Sequence, residues 1–173
     1  SLIYAGAQKN MGAAGVNLVI VDKNILGKVD RKLPSMMDYR NHIENGSMLN
    51  TPPVFAIYVC MLTLRWLKKT GGVAAIEKVN NEKAALLYTT LDSLPVFRPT
   101  VVKEDRSKMN VVFVIDDAAK EKAFLDVCKA EGIVGIKGHR SVGGFRASLY
   151  NALPLESVQV LTDIMKDFAN KNG

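Results

Sequence analysis

Met109-Asn-Val-Val-Phe-Val-Ile115 decides the fold of the larger part of this chain. An unbroken run of β-branched and aromatic residues, ended by Asp116-Asp117, predicts a strand buried on at least one face. Downstream, residues 118–130 place Ala119, Phe124, Val127 and Cys128 at helical spacing, and Gly132 supplies the stop. Ile133-Val-Gly-Ile136 predicts a short strand, and Phe145-Arg-Ala-Ser-Leu-Tyr150 alternates like another. A last helix opens near Pro154, with Leu155, Val158, Leu161, Ile164, Met165 and Phe168 along one stripe. Upstream, Val96-Phe-Arg98 is a weak strand. Residues 73–91 form a helix whose apolar face is Val73, Ile76, Val79, Ala84, Leu87 and Leu91. Residues from about 72 onward therefore read as a small α+β unit with helices packed on an antiparallel sheet.

Residues 1–71 read differently. Leu2-Ile-Tyr4 starts a strand with no turn or cap before it, Val16-Asn-Leu-Val-Ile-Val21 gives a second strand, and Asp22-Lys-Asn24 a turn. Residues 25–53 look irregular. A helix follows from Phe55 to Leu67, with Thr51 as its expected N-cap, Pro at the first helical position, and Gly71-Gly72 as its stop. With no initiator Met and an opening inside a strand, the chain is expected to be a fragment or processed product of something larger.

At 173 residues, 48% hydrophobic and 23% charged, the composition is that of an ordinary globular protein. The longest apolar run, Val54 to Leu64, is well short of the roughly 20 residues needed to cross a bilayer, so no membrane partner is expected. Cys60 and Cys128 are far apart in helical patterns, which argues against a disulfide framework and fits a reducing cytoplasm. His42 and His139 lack partners at ligand spacing, so no metal is expected. The net charge of +6 comes from bases interleaved with acids, as in Lys103-Glu-Asp-Arg106. Small anions are thus expected as ligands rather than nucleic acid.

Three segments carry chemistry. In Ala5-Gly-Ala-Gln-Lys-Asn10, a lysine at a strand end among small residues suits imine formation, because a desolvated ammonium gives up its proton readily. The alternative is an ordinary loop lysine. In Lys137-Gly-His-Arg-Ser-Val-Gly-Gly-Phe-Arg146, glycines allow close approach and arginine forks match carboxylate and phosphate. Arg146, in an alternating strand, is expected to be partly buried and so to need an anion. A glycine-rich hairpin with surface charges is the alternative. In Asn50-Thr-Pro-Pro53, a helix start with a hydroxyl and unpaired N–H groups suits a phosphate, or is no more than a capped helix.

These three segments in this order resemble the C-terminal half of the phosphoserine aminotransferase family. That family comprises fold-type I, pyridoxal-phosphate-dependent enzymes among the class V aminotransferases. The resemblance runs through all 173 residues, including Arg106-Ser-Lys-Met-Asn110 and Tyr150-Asn151. It implies an α/β fold overall. Residues 1–71 would end the cofactor-binding large domain, whose sheet is mostly parallel, and 72–173 would be a small α+β C-terminal domain. It implies Lys9 as the catalytic residue that holds the cofactor, with Gln8, Asn50 and Thr51 binding the cofactor phosphate. Asn50 and Thr51 would act from the neighbouring subunit of a homodimer. Arg146 would take the substrate α-carboxylate, and His139 and Arg140 the distal phosphate or carboxylate.

The implied substrates are L-glutamate and 3-phosphohydroxypyruvate, exchanged by ping-pong transamination in cytoplasmic serine biosynthesis. The related vitamin B6 precursor is a further candidate substrate. The ring that stacks on the cofactor and the Asp that pairs with its pyridine nitrogen would come from an N-terminal half, present as a separate chain or in the uncut protein. Without it the polypeptide is expected to be inactive. Two other functions fit the residues: a non-catalytic module that binds small anions, and a related aminotransferase acting on another 2-oxo acid.

Overall fold

The computed structural model describes residues 1–172, which divide into two compact units, Ser1–Lys69 and a second beginning at Thr70.

In the first unit, strands β1 (Leu2–Gly6) and β2 (Asn17–Val21) pair antiparallel, with Leu2 opposite Val21 and Gly6 opposite Asn17. The Ala7 N–H donates to the Val16 carbonyl at 2.9 Å and closes the base of the connecting loop. Gly12 lies against helix α2 (Val54–Lys69). Its φ is +150°, and a Cβ there would stand 2.9 Å from the Cys60 Cα, so only glycine fits. The Asp22 carboxylate accepts from the Asn24 N–H and caps a single 3-10 turn, Lys23–Ile25.

Residues 25–53 are not wholly irregular. A second 3-10 turn, Ser35–Met37, precedes helix α1, Tyr39–Glu44. Asp38 caps α1 by accepting from the Arg40 N–H at 3.0 Å, and Arg40 returns an ion pair to it at 2.6 Å. Six residues are too few to display a helical period, so only the cap signals this element. Its exit is tight: the Ser47 N–H donates to the His42 carbonyl at 2.7 Å, with Gly46 at φ +56° and Ser47 at +65°.

Thr51 is not the N-cap of α2. Helix α2 starts at Val54, and the Pro53 carbonyl accepts its first bond, from the Ile57 N–H at 3.1 Å. A residue before proline is disfavoured in the helical region, and two prolines in a row hold Thr51 and Pro52 out of the helix.

The second unit has its own core. Helix α3 (Gly72–Ser93) leads to a three-stranded antiparallel sheet in the order β3 (Arg98–Pro99), β4 (Asn110–Val114), β5 (Phe145–Ser148). Helices α4 (Ala118–Ala130) and α5 (Leu155–Asn172) complete it. Val111, Phe113, Ile115, Phe145, Ala147 and Leu149 are buried from the strand segments, against Phe124, Cys128, Leu87, Leu91, Val158, Met165 and Phe168 from the helices. Phe124 is the hub, with ring centroids 5.0 Å from Phe97, 5.2 Å from Phe145 and 5.1 Å from Phe168. The offset and edge-on arrangements are those that aromatic quadrupoles favour.

Two expectations about this unit are corrected. Ile133–Ile136 is not a strand: Gly135 has φ +75°, which breaks the extension, and only an isolated bridge between Lys137 and Phe145 follows. The buried face of α3 is also rotated from the expected one. Val73 is exposed, whereas Asn80 and Lys83 are buried with Ala84, Leu87 and Leu91. Every strand pairing among the described residues is antiparallel.

Candidate active site

Lys9 follows β1 directly, in a turn where its N–H donates to the Ala7 carbonyl at 2.7 Å, and its side chain is exposed. Gln8 folds back over Gly6, where a Cβ would lie 2.3 Å from the mobile Gln8 Oε1. Buried Ala7 anchors the turn, leaving Gln8 and Lys9 outward on consecutive positions. Asn50 and Thr51 are both exposed in the extended lead into α2, and the Asn50 Nδ2 donates to the Thr51 carbonyl at 3.2 Å.

In the second unit, His139 and Arg140 occupy a loop with a narrow neck. The Gly138 N–H donates to the Gly144 carbonyl at 2.7 Å, and a Cβ on Gly138 would stand 2.1 Å from the Gly143 oxygen. The loop turns on Gly143 at φ +79° and Gly144 at +62°. His139 accepts at Nδ1 from the Ser141 N–H at 3.3 Å, and the Ser141 Oγ lies 2.7 Å from the same nitrogen. A backbone N–H can only donate, so the proton of the neutral ring sits on Nε2. The Val142 and Gly143 N–H groups donate to the His139 carbonyl and fix the turn.

Arg146 stands on β5 opposite Val112, and its N–H donates to the Ile136 carbonyl at 2.8 Å. Its side chain is exposed, not partly buried. Phe145 and Ala147 take the core positions of β5, and strand alternation turns Arg146 to the open face. The argument that a buried arginine demands an anion therefore lapses, while the guanidinium remains available to one. It lines a cleft of about 390 Å³ shared with Glu131, Ile133, Ile136, Leu153 and Leu161. The structure thus brings His139, Arg140 and Arg146 onto one glycine-necked hairpin, and Gln8 and Lys9 onto one turn.

Other placements went unread in the sequence. Lys83 is fully buried, and its Nζ donates to the carbonyls of Leu149 at 3.3 Å, Tyr150 at 2.8 Å and Leu153 at 3.0 Å. Burial pushes its pKa down. The series Asn80, Lys83, Leu87 and Leu91 was a signal, since all four fall on one helical stripe. Arg106 grips both oxygens of Asp92, at 2.8 Å each, beneath a cation–π contact of 4.7 Å with Tyr88. Those hydrogen bonds hold the Asp92 carboxyl below the usual range. The Cys128 thiol is pushed up to about 11 by burial and is an inert part of the core. Among the described residues, no cluster of three or more His, Cys, Asp or Glu could hold a metal ion, and no helix is long and apolar enough to cross a membrane.

The family model for aminotransferase class-V matches residues 1–161. The chain belongs to that family. Among the class-V aminotransferases it is 58% identical over 170 residues to the phosphoserine aminotransferase of Flavobacterium johnsoniae, a match covering 98% of this chain and 48% of that protein. It superposes on the phosphoserine aminotransferase of Bacillus circulans subsp. alkalophilus with a TM-score of 0.94 at 42% identity, covering 99% of this chain and 48% of the other. The pyridoxal-phosphate-bound phosphoserine aminotransferase of Trichomonas vaginalis gives 0.89 at 42% identity, covering 95% and 47%. The chain spans about half the length of the curated relatives it matches. Its mixed α/β fold is therefore the fold of this class-V group.

Proposed function

We propose that this chain carries the lysine and the anion-binding hairpin of a pyridoxal-phosphate-dependent phosphoserine aminotransferase. The reaction is L-glutamate plus 3-phosphohydroxypyruvate to 2-oxoglutarate plus O-phospho-L-serine. What supports the reading most is the match of residues 1–161 to class-V aminotransferases, with the three chemistry-bearing segments in order along it. The donor set fits the cofactor: an exposed primary amine for an aldehyde, with the Gln8 and Asn50 amides and the Thr51 hydroxyl for a phosphate. When bound, pyridoxal phosphate supplies the electron sink and stores the amino group between half-reactions.

The residues divide the remaining work. Lys9 Nζ would hold the cofactor at rest and, once released, would take the proton from the substrate Cα as a neutral amine and carry it as an ammonium. Arg146 would clamp the α-carboxylate with two parallel N–H donors and so fix the substrate's orientation. His139, through Nε2–H, and Arg140 hold the distal anion. Both substrates carry an anion at each end, so one hairpin serves both half-reactions. Residues 1–71 act as the end of the large domain and 72–173 as the small domain. Asn50 and Thr51 reach the phosphate of the partner subunit in a cytoplasmic homodimer, and an N-terminal half completes the site.

The test is absorbance on adding pyridoxal phosphate to the protein assembled with its N-terminal half, followed by L-glutamate. The expected result is a visible band that L-glutamate discharges, that Lys9→Ala abolishes and that Lys137→Ala leaves intact. A band unchanged in Lys9→Ala would sink the assignment.

A further inference from the structure

Lys83 is a buried ammonium that no carboxylate meets among the described residues; its three N–H bonds are spent on the carbonyls of Leu149, Tyr150 and Leu153. An apolar side chain could fill the same space without the cost of desolvating a charge. The acceptors explain the lysine. Between β5 and α5 the chain runs through 149–153 without regular structure; the Tyr150 carbonyl accepts one turn bond, from the Leu153 N–H at 2.9 Å, and the ammonium is a donor to all three carbonyls. A buried carbonyl short of donors is costly, and the buried Leu149 oxygen converges with the half-buried Tyr150 and Leu153 oxygens into the kind of cage that holds a cation. Helix α3 reinforces the same segment three residues earlier, where the Asn80 Nδ2 donates to the Asn151 Oδ1 at 2.9 Å.

We propose that Lys83 is a positioning residue, a built-in cation whose carbonyl cage fixes the path from β5 into α5 and so holds the strand that presents Arg146. Leu149, whose carbonyl the ammonium takes, also donates its N–H to the Met109 carbonyl at 2.7 Å and ties the end of β5 to the start of β4. Three residues before it stands Arg146, whose own N–H is held by Ile136. The link to substrate binding rests on the role proposed for Arg146; the cage does not.

The test is chemical rescue. Lys83→Ala removes three methylenes and the ammonium, and n-propylammonium restores both. In the 173-residue chain, amide hydrogen exchange at Leu149 and Arg146 should quicken by about tenfold or more in Lys83→Ala, the scale of one lost charged hydrogen bond. Exchange at Glu121 in α4 should hold. Propylammonium at about 0.1 M, where the screening length is still about 10 Å, should reverse the change, and tetramethylammonium, which has no N–H, should not. Equal effects of the two salts, or unchanged exchange at Leu149, would overturn the proposal. Should Lys83→Ala not fold, the unsubstituted chain still decides. Nitrogen-15 NMR should find a slowly exchanging, charged Lys83 ammonium, and an ammonium exchanging at solvent rates overturns the cage. None of these readouts uses cofactor or substrate, so an error in the assignment of Arg146 would not alter them.

Discussion

Replacing Gly138 with alanine should damage the protein more than replacing Gly143, although Gly143 has the conformation that L-residues avoid. Gly143 sits at φ +79° with nothing within 4 Å of an added Cβ, so its substitution costs only the left-handed strain, about 1–2 kcal/mol. Gly138 has no such φ, but its Cβ would stand 2.1 Å from the Gly143 oxygen and 2.8 Å from the Gly144 oxygen, both backbone. Neither atom can rotate away, so the neck must open. Overpacking costs about 1–3 kcal/mol, and loss of the 2.7 Å bond from the Gly138 N–H to Gly144 adds about 0.5–1.5 kcal/mol. Together these give roughly 2–4 kcal/mol, a fall in urea midpoint on the order of 1–2 M at ordinary m-values. The assay is equilibrium urea unfolding of both variants. The second consequence is local: the opened neck carries His139 and Arg140, so binding of the doubly anionic substrates proposed for this hairpin should weaken in Gly138→Ala beyond its stability loss. Equal or smaller destabilisation in Gly138→Ala than in Gly143→Ala would refute the steric argument.

Three other outcomes can be checked. Ser47 at φ +65° should welcome glycine: relief of left-handed strain outweighs the added chain entropy, so Ser47→Gly should gain about 0.5 kcal/mol by thermal unfolding. Asp92, held below its ordinary value chiefly by the Arg106 hydrogen bonds, contributes stability above the unfolded carboxylate range that is lost as pH falls through the lowered folded value. Asp92→Asn should therefore flatten the acid limb of a stability-against-pH curve and leave neutral and alkaline pH nearly parallel to the parent. Phe124→Ala, at the hub of the aromatic cluster, should cost about 3–5 kcal/mol by denaturant unfolding.

What the sequence disclosed depended on whether the deciding contact was local. Residues 118–130 were readable to the residue because the apolar spacing and the Gly132 stop are both local. Helix α1 was not, because six residues are too few to show a helical period. Ile133–Ile136 has strand-forming side chains, yet one positive φ at Gly135 overrides them. The Lys83 cage was hidden because its acceptors arrive from 66 to 70 residues away, and a lysine in a helix reads as solvated. The bend that carries His139 and Arg140 was legible because Gly138, Gly143 and Gly144 mark where the backbone passes close to itself. The exposure of Arg146 was misjudged because alternation says that two faces differ without saying which one meets solvent.

The two units also differ in their light-absorbing residues. The single tryptophan, Trp66, lies in α2, whereas five of the six phenylalanines are in the second unit around Phe124. Indole emission therefore reports on α2, and the phenylalanine bands of near-ultraviolet dichroism report chiefly on the cluster around Phe124. A thermal scan followed only by fluorescence would take its signal from the first unit; following both signals shows in one sample whether the second unit melts with it.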